Sequence, residues 1–133
     1  MPKTLVVDDD PAAEAMFQEA VQGKEGSAGE GGYEFVFAAT DEDALEVLRG
    51  LKDLDIAIIT VDSHSLSGLK LFKELDAEDA RLPRIALTGK PDLDQFRRAL
   101  KEGASDFLVK PFGRDELTAM LARVYHECER RRS

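Results

Sequence analysis

The sequence predicts an α/β fold over residues 1–133: a single doubly wound parallel sheet of five strands alternating with five helices. Three observations carry this. Short apolar runs recur at 5–7, 33–38, 56–59, 85–88 and 107–109, too short for helices and rich in β-branched and aromatic side chains. Segments with apolar residues at three- and four-residue spacing stand between them. The third run, I-A-I-I, is apolar throughout, as a central parallel strand covered on both faces requires. Right-handed crossovers then favour the doubly wound sandwich.

Each element has its own signal. The first strand stops at Asp8, Asp9 and Asp10, and Pro11 follows in the order of a cap and a first helical turn. That helix carries Ala13, Met16, Phe17, Ala20 and Val21 on one stripe until Gly23. Residues 23–32, G-K-E-G-S-A-G-E-G-G, hold five glycines and nothing apolar larger than Ala28, so a flexible surface loop is expected. Thr40 with Asp43 resembles a capping box ahead of Ala44, Leu45, Val47, Leu48 and Leu51. Gly68 precedes a helix bearing Leu69, Leu71, Phe72 and Leu75. Asp92 caps a helix that carries Phe96, Ala99 and Leu100 and stops at Gly103. The last helix, from about Asp115 to the chain's end, presents Leu117, Met120, Leu121 and Val124 to the core. Its end, residues 126–133, has three arginines that suit a helix carboxyl terminus, and is also where a linker to an output domain absent from this chain would begin.

Composition narrows the function. A chain of 133 residues supports one core. A formal charge of −9 repels a phosphate backbone, so nucleic-acid binding by this domain is not expected. The single cysteine, Cys128, has no internal disulfide partner, and no Cys or His spacing suits zinc. Acid appears within the first eight residues and no apolar run reaches membrane-spanning length, so a cytoplasmic protein without a membrane partner is expected.

In doubly wound sheets the site lies at the carboxyl ends of the strands. Here those ends carry Asp8, Asp9 and Asp10, then Thr60 to Asp62, then Thr88, then Lys110 and Pro111. Paired carboxylates beside a hydroxyl and an ammonium suit a hard cation and a phosphoryl group: Mg²⁺ takes oxygen ligands, and lysine meets a phosphoryl oxygen as a point charge. Singly, each residue is more simply a cap or a turn former. Their convergence from four strands is the signal.

The motifs V-V-D-D-D-P, L-T-G and G-A-S-D-F-L-V-K-P-F resemble the receiver domain of two-component response regulators, over essentially the whole chain. The resemblance implies sheet order 2-1-3-4-5, as in flavodoxin-like and chemotaxis-receiver-like folds. It also implies Mg²⁺ bound through Asp8 and Asp9, and a phosphoryl group moved from a histidine kinase onto an aspartate. Thr88 matches the switch hydroxyl, Phe107 the aromatic position that moves with it, and Lys110 the lysine that contacts the phosphoryl oxygen. A cis bond before Pro111 is implied too. Partners, whether kinase, output domain or another signalling protein, would read the face made by the fourth helix, fifth strand and fifth helix. Such a module is not an enzyme in the ordinary sense.

One position departs from the pattern. In the family the acceptor aspartate ends a D-x-x-x-x-D run and precedes a glycine by eight residues; counting from Asp55 and from Gly68 both lead to Thr60. Ser63 and His64 replace the usual Met-Pro. A two-residue slip would bring Asp62 to the acceptor position with every side chain on its own face. Without the slip, Asp62 overshoots by about 6.6 Å. A threonine hydroxyl is a poor nucleophile without a general base and brings a cation no charge. A degenerate pseudo-receiver acting by phosphate-independent docking is therefore expected, with weak Mg²⁺ binding at most. The alternative is a Mg²⁺-dependent receiver phosphorylated at Asp62, which would join Asp8 and Asp9 at the metal. Further off stands a small phosphatase of haloacid-dehalogenase type, with Asp8 and Asp10 as nucleophile and acid; the chain has no room for its cap and no late acidic pair. A flavin protein of the same topology would need phosphate donors where the first loop is acidic. His64 is read as solvated, and His126 and Cys128 as carrying no chemistry.

Overall fold

The structure is a computed structural model that describes residues 3–22, 33–63, 68–78 and 81–132. Five strands, β1 (Lys3–Val7), β2 (Glu34–Ala38), β3 (Ile56–Thr60), β4 (Arg84–Thr88) and β5 (Ala104–Val109), alternate with five helices. These are α1 (Ala13–Gln22), α2 (Asp41–Gly50), α3 (Leu69–Glu78), α4 (Leu93–Lys101) and α5 (Arg114–Arg132). The strands form one parallel sheet in the order β2-β1-β3-β4-β5, as expected. No described helix is long and apolar enough to cross a membrane.

Alternation along the strands sends side chains to two cores. Leu5, Val7, Ala57, Ile59 and Ala86 pack with Ala44 and Leu48 of α2, Leu71, Phe72 and Leu75 of α3, and Ala99 of α4. Val6, Ile56, Ile58, Ile85, Leu87 and Leu108 pack with Phe17 of α1 and Leu117, Met120, Leu121 and Val124 of α5. β3 is buried at every residue, the consequence of its central place. At the other end of the sheet Lys3 ties β1 to the segment before β3: its N–H donates to Asp55 at 2.8 Å and its ammonium lies 3.1 Å from Asp53. The hydrogen bond that the Lys3 ammonium donates to Asp53, aided by the charges of Asp53 and Glu34, raises the Lys3 pKa above the ordinary lysine value.

The helix starts follow the capping residues. Thr40 Oγ1 accepts from the Asp43 N–H at 3.0 Å, and an Asp92 carboxylate oxygen accepts from the Asp94 N–H at 2.9 Å. Asp10 accepts from the Ala12 N–H through its side chain and from the Ala13 N–H through its carbonyl, so the regular part of α1 begins two residues after Pro11.

Two details depart from the sequence reading. Leu100, expected on the apolar stripe of α4, is 58 % exposed, whereas Ala99 is fully buried and Phe96 half-buried. β5 begins at Ala104, three residues earlier than its apolar run. Gly103, at φ +98°, turns the chain straight from α4 into the strand, and a register shift opposite Arg84 and Ile85 absorbs one residue. The polar Ser105 and Asp106 hid that start. The loop expected at 23–32 and His64 lie outside the described residues.

Candidate functional site

The strand ends meet at one edge of the sheet. Asp8 leaves β1 with its N–H donating to the Ala38 carbonyl at 3.0 Å, which fixes its backbone beside β2. Its side chain is 2 % exposed, and Oδ2 stands 2.7 Å from Lys110 Nζ. Asp8 Oδ1 accepts from the Asp10 N–H at 3.0 Å. Lys110 is held in turn by its N–H, which donates to the Thr88 carbonyl at 2.8 Å, and its bond to Pro111 is cis. The Asp10 carboxylate is 3.9 Å from the same ammonium. A buried carboxylate with one close cation is thus the anchor of the edge, joining β1 to β5 across the two strands between them.

Thr60 is the last residue of β3 and pairs with Leu87. Val7 pairs with Ile59, so the next position along each strand sets Asp8 beside Thr60. Both share strand parity with Val6 and Ile58, whose side chains enter the core under α1 and α5. In this register Asp62 lies two residues beyond the end of β3. The Thr60 residue is only 3 % exposed, and its Oγ1 has no hydrogen-bond partner among the described residues. Gly68, at φ +56°, approaches this strand end so closely that a Cβ would lie 3.2 Å from Val61 Cα and 3.4 Å from the Thr60 carbonyl. The spacing between Thr60 and Gly68 therefore has a physical basis: only a residue without a side chain closes the loop there.

Asp62 sits past the end of β3, half-buried, and turns toward β4. Its Oδ2 accepts from the Thr88 hydroxyl at 3.0 Å and from the Gly89 N–H at 2.9 Å. Thr88, fully buried, also accepts from the Lys90 N–H at 3.1 Å. Asp9 is exposed, and its Oδ2 accepts from the Ser63 hydroxyl at 2.8 Å. Phe107 is half-buried, with its ring centroid 4.4 Å from that of Phe96 on α4. The sequence-predicted residues thus form two adjacent groups, Asp8 with Lys110 and Asp10, and Asp62 with Thr88, with Thr60 at the strand end beside Asp8. The N–H groups of Gly89 and Lys90 and the Ser63 hydroxyl escaped the sequence reading. Gly89, directly after Thr88 in L-T-G, was the available signal for a close backbone approach.

The donor set fits Mg²⁺ poorly. Asp8 is committed to a lysine and a backbone N–H, Asp9 to a hydroxyl, and Asp62 to two donors on β4 and the loop after it. Thr60 supplies a neutral oxygen where a third carboxylate would complete an oxygen shell. Among the described residues no cluster of three or more His, Cys, Asp or Glu is placed to hold a metal. Asp10 is a helix cap in this arrangement, with its side chain on the Ala12 N–H.

Comparison with known proteins decides the family. The model of the response regulator receiver domain matches residues 4–122. This chain belongs to the response regulator receiver domain family. It is 33 % identical over 121 residues to the DNA-binding transcriptional regulator NtrC of Escherichia coli, covering 90 % of this chain and 24 % of the relative. It is 34 % identical over 90 residues to the transcriptional regulatory protein FixJ of Bradyrhizobium diazoefficiens, covering 66 % of this chain and 44 % of that protein. The receiver therefore spans about a quarter of the NtrC relative's length and under half of FixJ's. Among solved structures, a CheY-like receiver domain protein from Methanospirillum hungatei superposes with TM-score 0.82 at 21 % identity, covering 98 % of each chain. NtrX from Brucella abortus, solved with ADP, gives TM-score 0.84 at 22 % identity over 99 % of this receiver and 29 % of that chain. At those identities the likeness speaks for the fold. The receiver fold, with its parallel strand order, is shared.

Proposed function

We propose that this receiver works by docking to a protein partner and takes no phosphoryl group. One observation carries the reading: the strand-end position beside Asp8 holds Thr60, while Asp62, two residues on, already accepts from the Thr88 hydroxyl and the Gly89 N–H. In a receiver that is phosphorylated, those donors would be available to a phosphoryl oxygen. Here a built-in carboxylate holds them, so the hydroxyl is turned to the site without any modification. Thr60 itself has a hydroxyl with no hydrogen-bonding base beside it, which leaves it a poor nucleophile.

Docking would use the face of α4, β5 and α5, where Phe107 of β5 packs on Phe96 of α4. The partner is a histidine kinase, an output domain or another signalling protein of a two-component pathway, and the domain catalyses no turnover of its own. Mg²⁺ has no assigned role in this proposal, given the committed carboxylates. The test is to incubate the protein with phosphoramidate or acetyl phosphate and Mg²⁺ and to record its intact mass. No phosphoryl adduct is expected. A stoichiometric, hydroxylamine-labile adduct on Asp62 would overturn the reading and establish the second one, a receiver that uses the shifted aspartate.

A further inference from the structure

The outer surface of α4 and its junction with α3 carry a feature the carboxyl-edge site does not use. Between the two helices lies an apolar-floored groove lined by Leu69, Lys70 and Lys73 from α3 and by Arg98, Lys101 and Glu102 at the end of α4. Arg98 and Lys101 also border a second depression on α4, with Asp94, Arg97 and Leu100. Leu93 and Leu100 are 65 % and 58 % exposed. They stand seven residues apart with Arg97 four residues after Leu93, so they share one stripe on the outside of the helix. Glu102 is 3.7 Å from Lys73 and offsets one cation across the groove. Lys70, Arg98 and Lys101 remain around an apolar floor.

The charge of the chain makes this patch informative. With a formal charge of −9 overall, a net-positive groove leaves the rest of the surface still more acidic. We infer that the α3–α4 groove is a docking site for a short acidic segment of a partner protein, one that sets an apolar residue on Leu69 and carboxylates against Lys70, Arg98 and Lys101. A short segment meets only the groove, within a Debye length of about 8 Å, whereas a nucleic-acid backbone or an anionic membrane would also meet the acidic remainder. The apolar floor has no counterpart in a phosphate backbone. A second copy seated symmetrically would set cations against cations, which is unfavourable. The remaining solution is the helix-in-groove mode, with apolar anchors inside and a charged rim. This surface is separate from the phosphate question at Thr60 and lies on the α3 side of α4, away from β5.

The test uses a fluorescein-labelled amphipathic peptide of leucine and glutamate, with its lysine counterpart as control, and reads anisotropy. The glutamate peptide is expected to bind the wild-type chain at least tenfold more tightly than the lysine peptide, and to weaken as salt is raised. The double variant R98E/K101E should lose at least tenfold in affinity, and Leu69→Ser should lose severalfold. Because Arg98 and Lys101 are exposed, the double variant should melt within a few degrees of wild type, and that melt is the control for folding. Equal binding of both peptides, or undiminished binding by R98E/K101E, would overturn the inference. So would tighter binding to duplex DNA or phosphatidylserine vesicles than to the peptide.

Discussion

Thr60→Asp is the most informative single change. The new carboxylate would enter a position only 3 % exposed, beside Asp8, whose side chain is 2 % exposed and has Lys110 as its one close cation at 2.7 Å. Two buried carboxylates would then share one ammonium. Burial and the like charge both raise the new acid's pKa, and a rise of about two units corresponds to about 2.7 kcal/mol. The sign follows from linkage. The folded state binds this proton more tightly than the unfolded chain, so stability falls as pH rises, with no penalty below about pH 4 and the full penalty above about pH 6. At neutral pH the variant should melt roughly 10 °C below wild type, at roughly 4 °C per kcal/mol for a domain of this size. Mg²⁺ should restore much of that loss, because the variant offers three carboxylates where the natural chain offers a hydroxyl and committed acids. Thermal melts from pH 4 to 8, with and without Mg²⁺, read this directly, and phosphoramidate treatment should then add a phosphoryl group to the variant alone. A variant that melts like wild type at pH 7 and ignores Mg²⁺ would show that Thr60 does not stand in the acceptor position.

Three further outcomes are expected. Thr60→Val removes a buried hydroxyl that has no partner and should be neutral or stabilising by up to about 1 kcal/mol in urea denaturation, with the domain's docking unchanged. Asp62→Ala takes the acceptor from Thr88 and Gly89 and should cost about 1–2 kcal/mol, discounted for the half-exposed carboxylate; the Gly89 amide resonance should shift and exchange faster, while Asp62→Asn keeps an acceptor and should cost less. Gly68→Ala forces a side chain into the left-handed region, 3.2 Å from Val61 Cα, and should cost at least about 1–2 kcal/mol, visible as a lower melting temperature without any change in mass-spectrometric phosphorylation.

Much of the fold was legible because its signals are local. I-A-I-I, buried at every residue, could only be a central strand, and Thr40 and Asp92 cap the helices they announce. The misses were tertiary in origin. β5 starts early because Gly103 turns the chain at once, and its first residues include the polar Ser105, absorbed by a register shift, and Asp106. Leu100 is exposed because α4 turns Ala99 inward, and the next residue along a helix points about 100° away.

The sequence by itself determined that Asp8, Thr88 and Lys110 stand at strand ends, because alternation of apolar runs with amphipathic helices leaves few topologies and all of them collect those ends on one edge. It also narrowed the acceptor position to Thr60 or Asp62, which have the same parity and cannot be separated by a pattern of period two. Only the tertiary structure shows where each of the two side chains sits. The pairing of Ile59 with Val7 and of Thr60 with Leu87, together with Gly68 packed on the strand end, sets Thr60 beside Asp8. Released from the ladder, Asp62 swings to the hydroxyl and N–H of the neighbouring strand end, since a half-buried carboxylate takes the nearest donors it can reach.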